Sequence, residues 1–457
     1  MEAERIRPGS NSRKLVADFT GTLGTRFVTL FLGLGTGIMT ARMLGPEHRG
    51  IFALIALFPA SVVALSKLGQ GQATIYFIRR EREEAGRVIS NVLAVALGTS
   101  TLLVFLVLGC QEILLATVLN GTPAWALAII LPLIPLLLME SYLYAVLQAT
   151  DRFRVFNTRL VAEAVLTLLA MALVLVILKL GLVGALGVVI VVRVVMGVWV
   201  ILSVHKVTPI RLRFDPGLFR RMIRYGLKSH VQIIASHFHF KADVYMVAAF
   251  LDPAQVAFYS IAARLAEHLL YLPQSLGLAL FPQLAGSDDE RGFAMTARAC
   301  RQTLVVIGLA ALALGWTGRW LIPLWYGSDY ARAAEPLPFV CGGIVMMAMY
   351  VLLSRSFTSR DRQFVNIVAA YTALAGNIVL NLILIPLEGI AGAAKATAVS
   401  YTAAACILLG FFVRESGLSL RDVLVLKRSD VLMWKRMALD LLPDRLTNAA
   451  PRSGGQA

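Results

Sequence analysis

The sequence predicts an all-α integral membrane protein with twelve transmembrane helices in two six-helix lobes. Three observations carry that prediction: a composition too apolar for water, a succession of apolar runs long enough to cross a bilayer, and segments in the second half that repeat the first.

Of 457 residues, 58% are hydrophobic and only 15% charged, and the mean hydropathy is +0.73. A water-soluble chain needs more polar surface than this to cover its core, so lipid must solvate most of the length. The formal charge of +16 does not point to nucleic acid. The basic residues sit in short segments between apolar runs, where they set orientation, and no loop is large enough for a basic recognition module. Cys110, Cys300, Cys341 and Cys406 stand apart, without Cys-x-x-Cys spacing or a histidine cluster, so packed thiols are expected and no metal or cofactor. The first apolar run is interrupted by Arg26 and has the length of a span, so it is expected to stay as an anchor.

Read with a window of about twenty residues, the chain gives apolar runs near 17–43, 50–78, 88–109, 117–147, 156–178 and 182–204. A second six lie near 223–250, 256–284, 299–322, 333–354, 363–386 and 390–413. The N-terminus (Arg5, Arg7, Arg13, Lys14) and alternate loops hold most of the basic residues, whereas the opposite loops hold only Arg42, Arg49, Lys179, Arg319 and Arg332. Basic loops stay cytoplasmic, which places both termini there. The expected division is a cytoplasmic N-terminus (1–16), a first lobe (17–204), a cytoplasmic linker (205–222), a second lobe (223–413) and a basic tail (414–457). The tail contains "LSLRDVLVLKRSDVLMWKRMALDLL", whose apolar and basic residues recur at helical spacing; it is expected along the inner membrane surface, or as a solvated helix. No phosphate-binding loop of the ATPase type occurs, and the connections are too short for a soluble catalytic domain.

The halves share sequence at a separation of roughly 208 residues. "ARMLGPEHRGIF" from Ala41 resembles "AAFLDPAQVAFY" from Ala248, "GLVGALGVV" from Gly181 resembles "GIAGAAKAT" from Gly389, and the "DR" at Asp151 recurs at Asp361. Because six is even, both copies enter the membrane from the same side, giving parallel repeats about a pseudo-twofold axis along the membrane normal, with a cavity between them.

The same segments carry a family resemblance. "ARMLGPEHRGIFAL", "ADVYMVAAFLDPAQVAFYSIAARL" with "LPQSLGLALFPQL", and "NIVLNLILIPLEGIAGAAKATAVSY" resemble, in order over most of the chain, the polysaccharide flippase branch of the multidrug/oligosaccharidyl-lipid/polysaccharide exporter superfamily. The resemblance implies alternating access and a substrate of sugars on an isoprenoid pyrophosphate carrier. Cation-coupled drug exporters of the same superfamily also have twelve spans, so the span number does not separate them.

Ionisable residues within spans mark functional sites or ion pairs. Asp243 and Arg264 lie ten residues before and eleven after Pro253, so both should sit about 15 Å below that turn, placed to pair. Lys241 and Glu267 form a second candidate pair one turn deeper. His230, His237 and Lys241 share one face of a helix, which could present a basic stripe to a pyrophosphate. Arg26 and Lys67 lie at matching distances on either side of Pro46, about 30 Å from that turn. Like charges in one layer repel unless an anion lies between them; alternatively Glu140 and Glu163, at similar depth, neutralise them. The glycines of "TLFLGLGTGIMT" and "SKLGQGQAT" permit close packing or bending of the first two spans.

The sequence thus predicts a membrane transporter rather than an enzyme. Its expected work is to flip a polyprenyl-pyrophosphate-linked oligosaccharide across the bacterial cytoplasmic membrane for surface polysaccharide biosynthesis. Arg26, Lys67, Lys241 and Arg264 are the candidates for phosphate or sugar contact, and Asp243, Glu140, Glu163, Glu267 and His237 for coupling or ion pairing. The lipid-linked glycan and membrane lipid are the expected partners, with polysaccharide polymerase and assembly proteins in addition and no nucleic acid. A cation-coupled multidrug antiporter, a membrane glycosyltransferase or polymerase, and a non-transporting assembly partner are the competing readings.

Overall fold

Glycine and proline decide where this chain turns. The computed structural model describes residues 8–150, 152–208 and 213–432; Arg5 and Arg7 of the N-terminus, Asp151 of the repeated "DR" and the tail beyond Leu432 lie outside them. Helix α1 (Pro8–Ser66) is two limbs joined at Gly45, whose φ of 73° is open to glycine at little cost, followed by Pro46 in the first turn of the second limb. Leu68 and Gly69, both left-handed, then break the chain before α2 (Gln70–Arg79). Of the glycines of "SKLGQGQAT", Gly69 therefore lies at the break between α1 and α2, whereas the glycines between Gly33 and Gly37 stay within one helical limb.

Helices α3 (Ala85–Gly109), α4 (Gln111–Ala116), α5 (Ala124–Ile130), α6 (Leu133–Ala149), α7 (Phe153–Met171) with a π-helical turn (Ala172–Ile177), and α8 (Gly181–His205) complete the first half. The second half runs through α9 (Pro216–Phe250), α10 (Pro253–Glu267), α11 (Tyr271–Ala285), α12 (Asp289–Tyr326), α13 (Leu337–Ser359) and α14 (Gln363–Ser416), then α15 (Leu420–Leu424). Helices α9 and α10 each begin with an aspartate cap, Asp215 and Asp252, followed by proline. Helix α14 is again two limbs, joined at Gly389 with φ 60°.

Among the described residues, eight helical stretches are long and apolar enough to cross a membrane; two of them, Gly24–Ser66 and Gln363–Ser416, contain the glycine-centred turns. The chain is a multi-pass membrane protein. Large apolar side chains such as Phe105, Leu312 and Leu387 are about 70% exposed, as expected where lipid rather than water is the neighbour. One continuous core, including Ile55, Tyr142, Tyr259, Tyr330 and Ile344, joins the halves.

The halves meet closely at both ends. At the end of the Gly45 turn, Gly50 lies so near the Pro253 carbonyl that no Cβ would fit, and Arg42 donates to the carbonyls of Trp325 (2.8 Å) and Leu324 (2.6 Å). At the opposite end Gly69 abuts the backbone of Gly226, and Tyr76 stacks on Tyr225 at 4.3 Å. The described part of the tail does not run on as one amphipathic helix. It folds back onto α12, with Val423 fully buried and Arg301 donating to both oxygens of the buried Asp430 (2.8 and 3.1 Å).

Candidate functional site

Where "SKLG" separates α1 from α2, Lys67 leaves helical geometry; its carbonyl accepts from Gln70 N (2.9 Å) and the Tyr142 hydroxyl (3.1 Å). These bonds hold the backbone while the half-buried ammonium has no carboxylate partner among the described residues. Opposite stands the basic stripe of α9. His230 Nε2 bonds the Leu65 carbonyl (3.0 Å) and His237 Nε2 bonds Ser61 Oγ (2.8 Å), which also accepts from the Tyr245 hydroxyl (2.7 Å). Lys67 and Lys241 both lie within electrostatic reach of His237. The stripe therefore faces the last turns of α1 across the junction of the halves.

A second group of cations lies on the other side of α1. Arg26 Nη1 reaches Ser275 Oγ on α11 at 3.5 Å, and the Arg355 guanidinium of α13 is near enough for the two charges to interact. Neither arginine has a carboxylate partner among the described residues. Arg26 lies on the first limb of α1 and Lys67 just past the end of the second, and they face different partners: Arg26 sits with Ser275 and Arg355, Lys67 with His237 and Lys241.

The acids are distributed otherwise than depth alone suggests. Glu140 and Glu163 do not neutralise Arg26 or Lys67. Arg159 binds Glu140 (2.8 Å) and Glu163 (3.0 Å), and Arg193 binds the same two at 3.4 and 2.8 Å. This network, with Arg159 also over the Tyr144 ring (4.4 Å), engages both carboxylates, so neither is free for Arg26 or Lys67. Lys241 does meet Glu267, donating to both oxygens at 2.8 and 3.0 Å.

Asp243 is not paired with Arg264. It is 2% exposed and accepts from Thr397 Oγ1 (2.7 Å), the Tyr259 hydroxyl (2.9 Å) and, at 3.5 Å, Asn381 Nδ2. Asn381 also binds Asn377 Oδ1 at 3.0 Å, while Asn381 Oδ1 has no partner among the described residues. A carboxylate buried among neutral donors needs a proton or a small cation to offset its charge, and an oxygen-rich cage suits a hard cation. Among the described residues no three His, Cys, Asp or Glu side chains converge, so a transition-metal site has no ligand set there.

Several members of this arrangement escape sequence reasoning. Arg159 and Arg193 look like interface residues, and Arg355 like a loop cation. Thr397, Asn377 and Asn381 were visible as polar positions in apolar spans. The four-residue step from Asn377 to Asn381, which puts both on one helical face, was the available signal.

The family model for "Polysaccharide biosynthesis protein" matches residues 15–287. A curated relative, "Probable low-salt glycan biosynthesis flippase Agl15" of Haloferax volcanii, is 23% identical over 186 residues, 40% of this chain and 39% of that protein. This chain thus matches well under two thirds of that relative. Among solved structures, "Lipid II flippase MurJ, inward closed conformation" superposes with a TM-score of 0.74 at 16% identity, covering 94% of each chain. An inward-facing multidrug resistance MATE family transporter of the MOP superfamily gives 0.69 at 15%, covering 87% of this chain and 98% of that one. At such identities the likeness is one of fold. With over half of its length matched by the family model, the chain belongs to the polysaccharide biosynthesis protein family, and its fold is that of the MurJ and MATE transporters.

Proposed function

We propose that the protein flips a polyprenyl-diphosphate-linked oligosaccharide across a bacterial cytoplasmic membrane for surface polysaccharide assembly. Twelve spans form two lobes, 17–204 and 223–413, related by a pseudo-twofold repeat, with both termini, the linker 205–222 and the tail cytoplasmic. The left-handed glycines Gly181 and Gly389, at corresponding places of the repeat, support that architecture, as do Pro46 and Pro253 in corresponding first turns.

The observation that carries the functional reading is that cations without a carboxylate partner among the described residues, Arg26 beside Arg355 and, apart from them, Lys67, stand where the halves meet. An anion entering there gains charge-assisted hydrogen bonds and removes like-charge repulsion. Lys241, held by Glu267, and Arg264 complete the substrate-contacting set, and Asp243 carries the coupling ion. His237 positions Ser61, and Glu140 and Glu163 hold the first lobe together. In a drug antiporter the same junction would carry spare carboxylates for cationic substrates. The test is reconstitution in vesicles, with and without an imposed proton or sodium gradient, using a labelled polyprenyl-diphosphate glycolipid beside a cationic dye. Glycolipid translocation without dye movement is expected; dye movement alone would refute the reading.

A further inference from the structure

Arg49 lies in "PEHRGIF", three residues after the proline that starts the second limb of α1, where sequence alone suggests a loop cation. In the structure it is 5% exposed. Its neighbour Gly50 is pressed against the Pro253 backbone, so Arg49 and Gly50 are buried at the junction, and the guanidinium lies over the Phe52 ring, 5.5 Å from its centroid. Nε has no hydrogen-bond partner among the described residues. Among the described residues no carboxylate forms an ion pair with Arg49. Instead it interacts with a second guanidinium, Arg264 of α10, which is exposed and likewise free of a carboxylate partner. Two tyrosines close the group. Tyr330 spends its hydroxyl on the Ala41 carbonyl (2.8 Å), whereas the Tyr326 hydroxyl faces Gly37 of α1 and lies within electrostatic reach of both arginines. Of the acids nearest in sequence, Glu47 and Asp329 are exposed, and Glu267, three residues after Arg264, has both carboxylate oxygens bonded by Lys241.

A buried guanidinium offers five donors in a rigid fork; leaving them empty beside a like charge is costly, and an oxyanion relieves both penalties. We infer that Arg49 and Arg264, with the Tyr326 hydroxyl, form a second oxyanion subsite of the phosphate or diphosphate class, at the end of the junction marked by Gly45 and Pro253. It is separate from the Arg26 and Arg355 pair and from Lys67. Taken as the station from which a transported diphosphate leaves, the subsite rests on the proposed function; taken as an oxyanion site, it stands without it.

The probe is inorganic pyrophosphate, titrated into the detergent-solubilised full-length chain and read by calorimetry and by melting temperature. Wild type is expected to bind it and to melt higher when it is present. R49Q should weaken binding by about tenfold or more while melting no lower than wild type without ligand, since it removes a buried repulsion. R49K should fall between, because an ammonium lacks the fork. R319Q, whose guanidinium stacks on Trp320 at 3.9 Å, controls for loss of one charge. Wild type that fails to bind pyrophosphate, R49Q that binds as wild type does, or R49Q and R319Q weakened alike would each overturn the subsite. Loss in R26Q/K67Q with R49Q intact would remove the subsite and leave the proposed function standing. Arg49-dependent binding in a chain that flips no glycolipid would keep the subsite and remove the function.

Discussion

Lys241 and Asp243 are two residues apart and meet opposite fates. Depth arithmetic brings Lys241 to Glu267, because α9 and α10 leave a common turn at Pro253 and each residue advances about 1.5 Å. The same arithmetic places Asp243 level with Arg264 but says nothing of rotation about the helix axis. Asp243 turns toward α14, where Thr397 and Asn381 lie 154 and 138 residues away in sequence. No local pattern connects them, so this part of the site was illegible before the fold. Replacing Asp243 by Asn keeps shape and hydrogen bonding while removing the charge to be offset. The variant should fold with stability within about 1 kcal/mol of wild type, and its transport should no longer respond to an imposed proton or sodium gradient. Gradient-dependent transport by Asp243→Asn in vesicles would assign coupling elsewhere.

Among elements, the turns were the most readable. Pro46, Pro253 and the glycines at 45, 69 and 389 each mark a change of direction, because only glycine takes the left-handed region without strain and proline suits a first turn. The tail was not readable in this way. Its helical spacing is real, yet Arg301 and Asp430 are 129 residues apart, and only the packed structure shows that the described part is held on α12. Hydrogen bonds from Arg301 keep the Asp430 carboxyl below its ordinary range. A carboxylate depressed on folding contributes stability that is present above its unfolded value, about 4, and is lost as pH falls through the lower folded value. Protection of 420–432 from hydrogen exchange should therefore hold from pH 8 to pH 5 and fall only in stronger acid. D430N should lose it at every pH, at a cost of about 3 kcal/mol.

On the scale of the whole molecule, two glycine contacts hold the halves together at opposite ends. A Cβ on Gly50 would strike the Pro253 carbonyl, and one on Gly226 would strike the Leu68 carbonyl. Both are backbone atoms, so the halves must part locally. Gly50→Ala should favour opening at the Gly45 end and Gly226→Ala at the other. Thiol-labelling rates of single cysteines placed near each junction should shift in opposite senses; shifts in the same sense would mean general loosening rather than alternating access.

The charge distribution of this same junction supports the account's main claim, that unpaired cations between the halves draw a diphosphate headgroup from the lipid surface. The most direct measurement is translocation of a labelled polyprenyl-diphosphate oligosaccharide in vesicles by wild type and by R26Q/K67Q/R355Q, with folding of the triple variant checked by its melting temperature. The triple variant should fold, and its translocation rate should fall at least tenfold, since each lost charge-assisted contact is worth about 1.5–3 kcal/mol. A folded variant that translocates at the wild-type rate would contradict it.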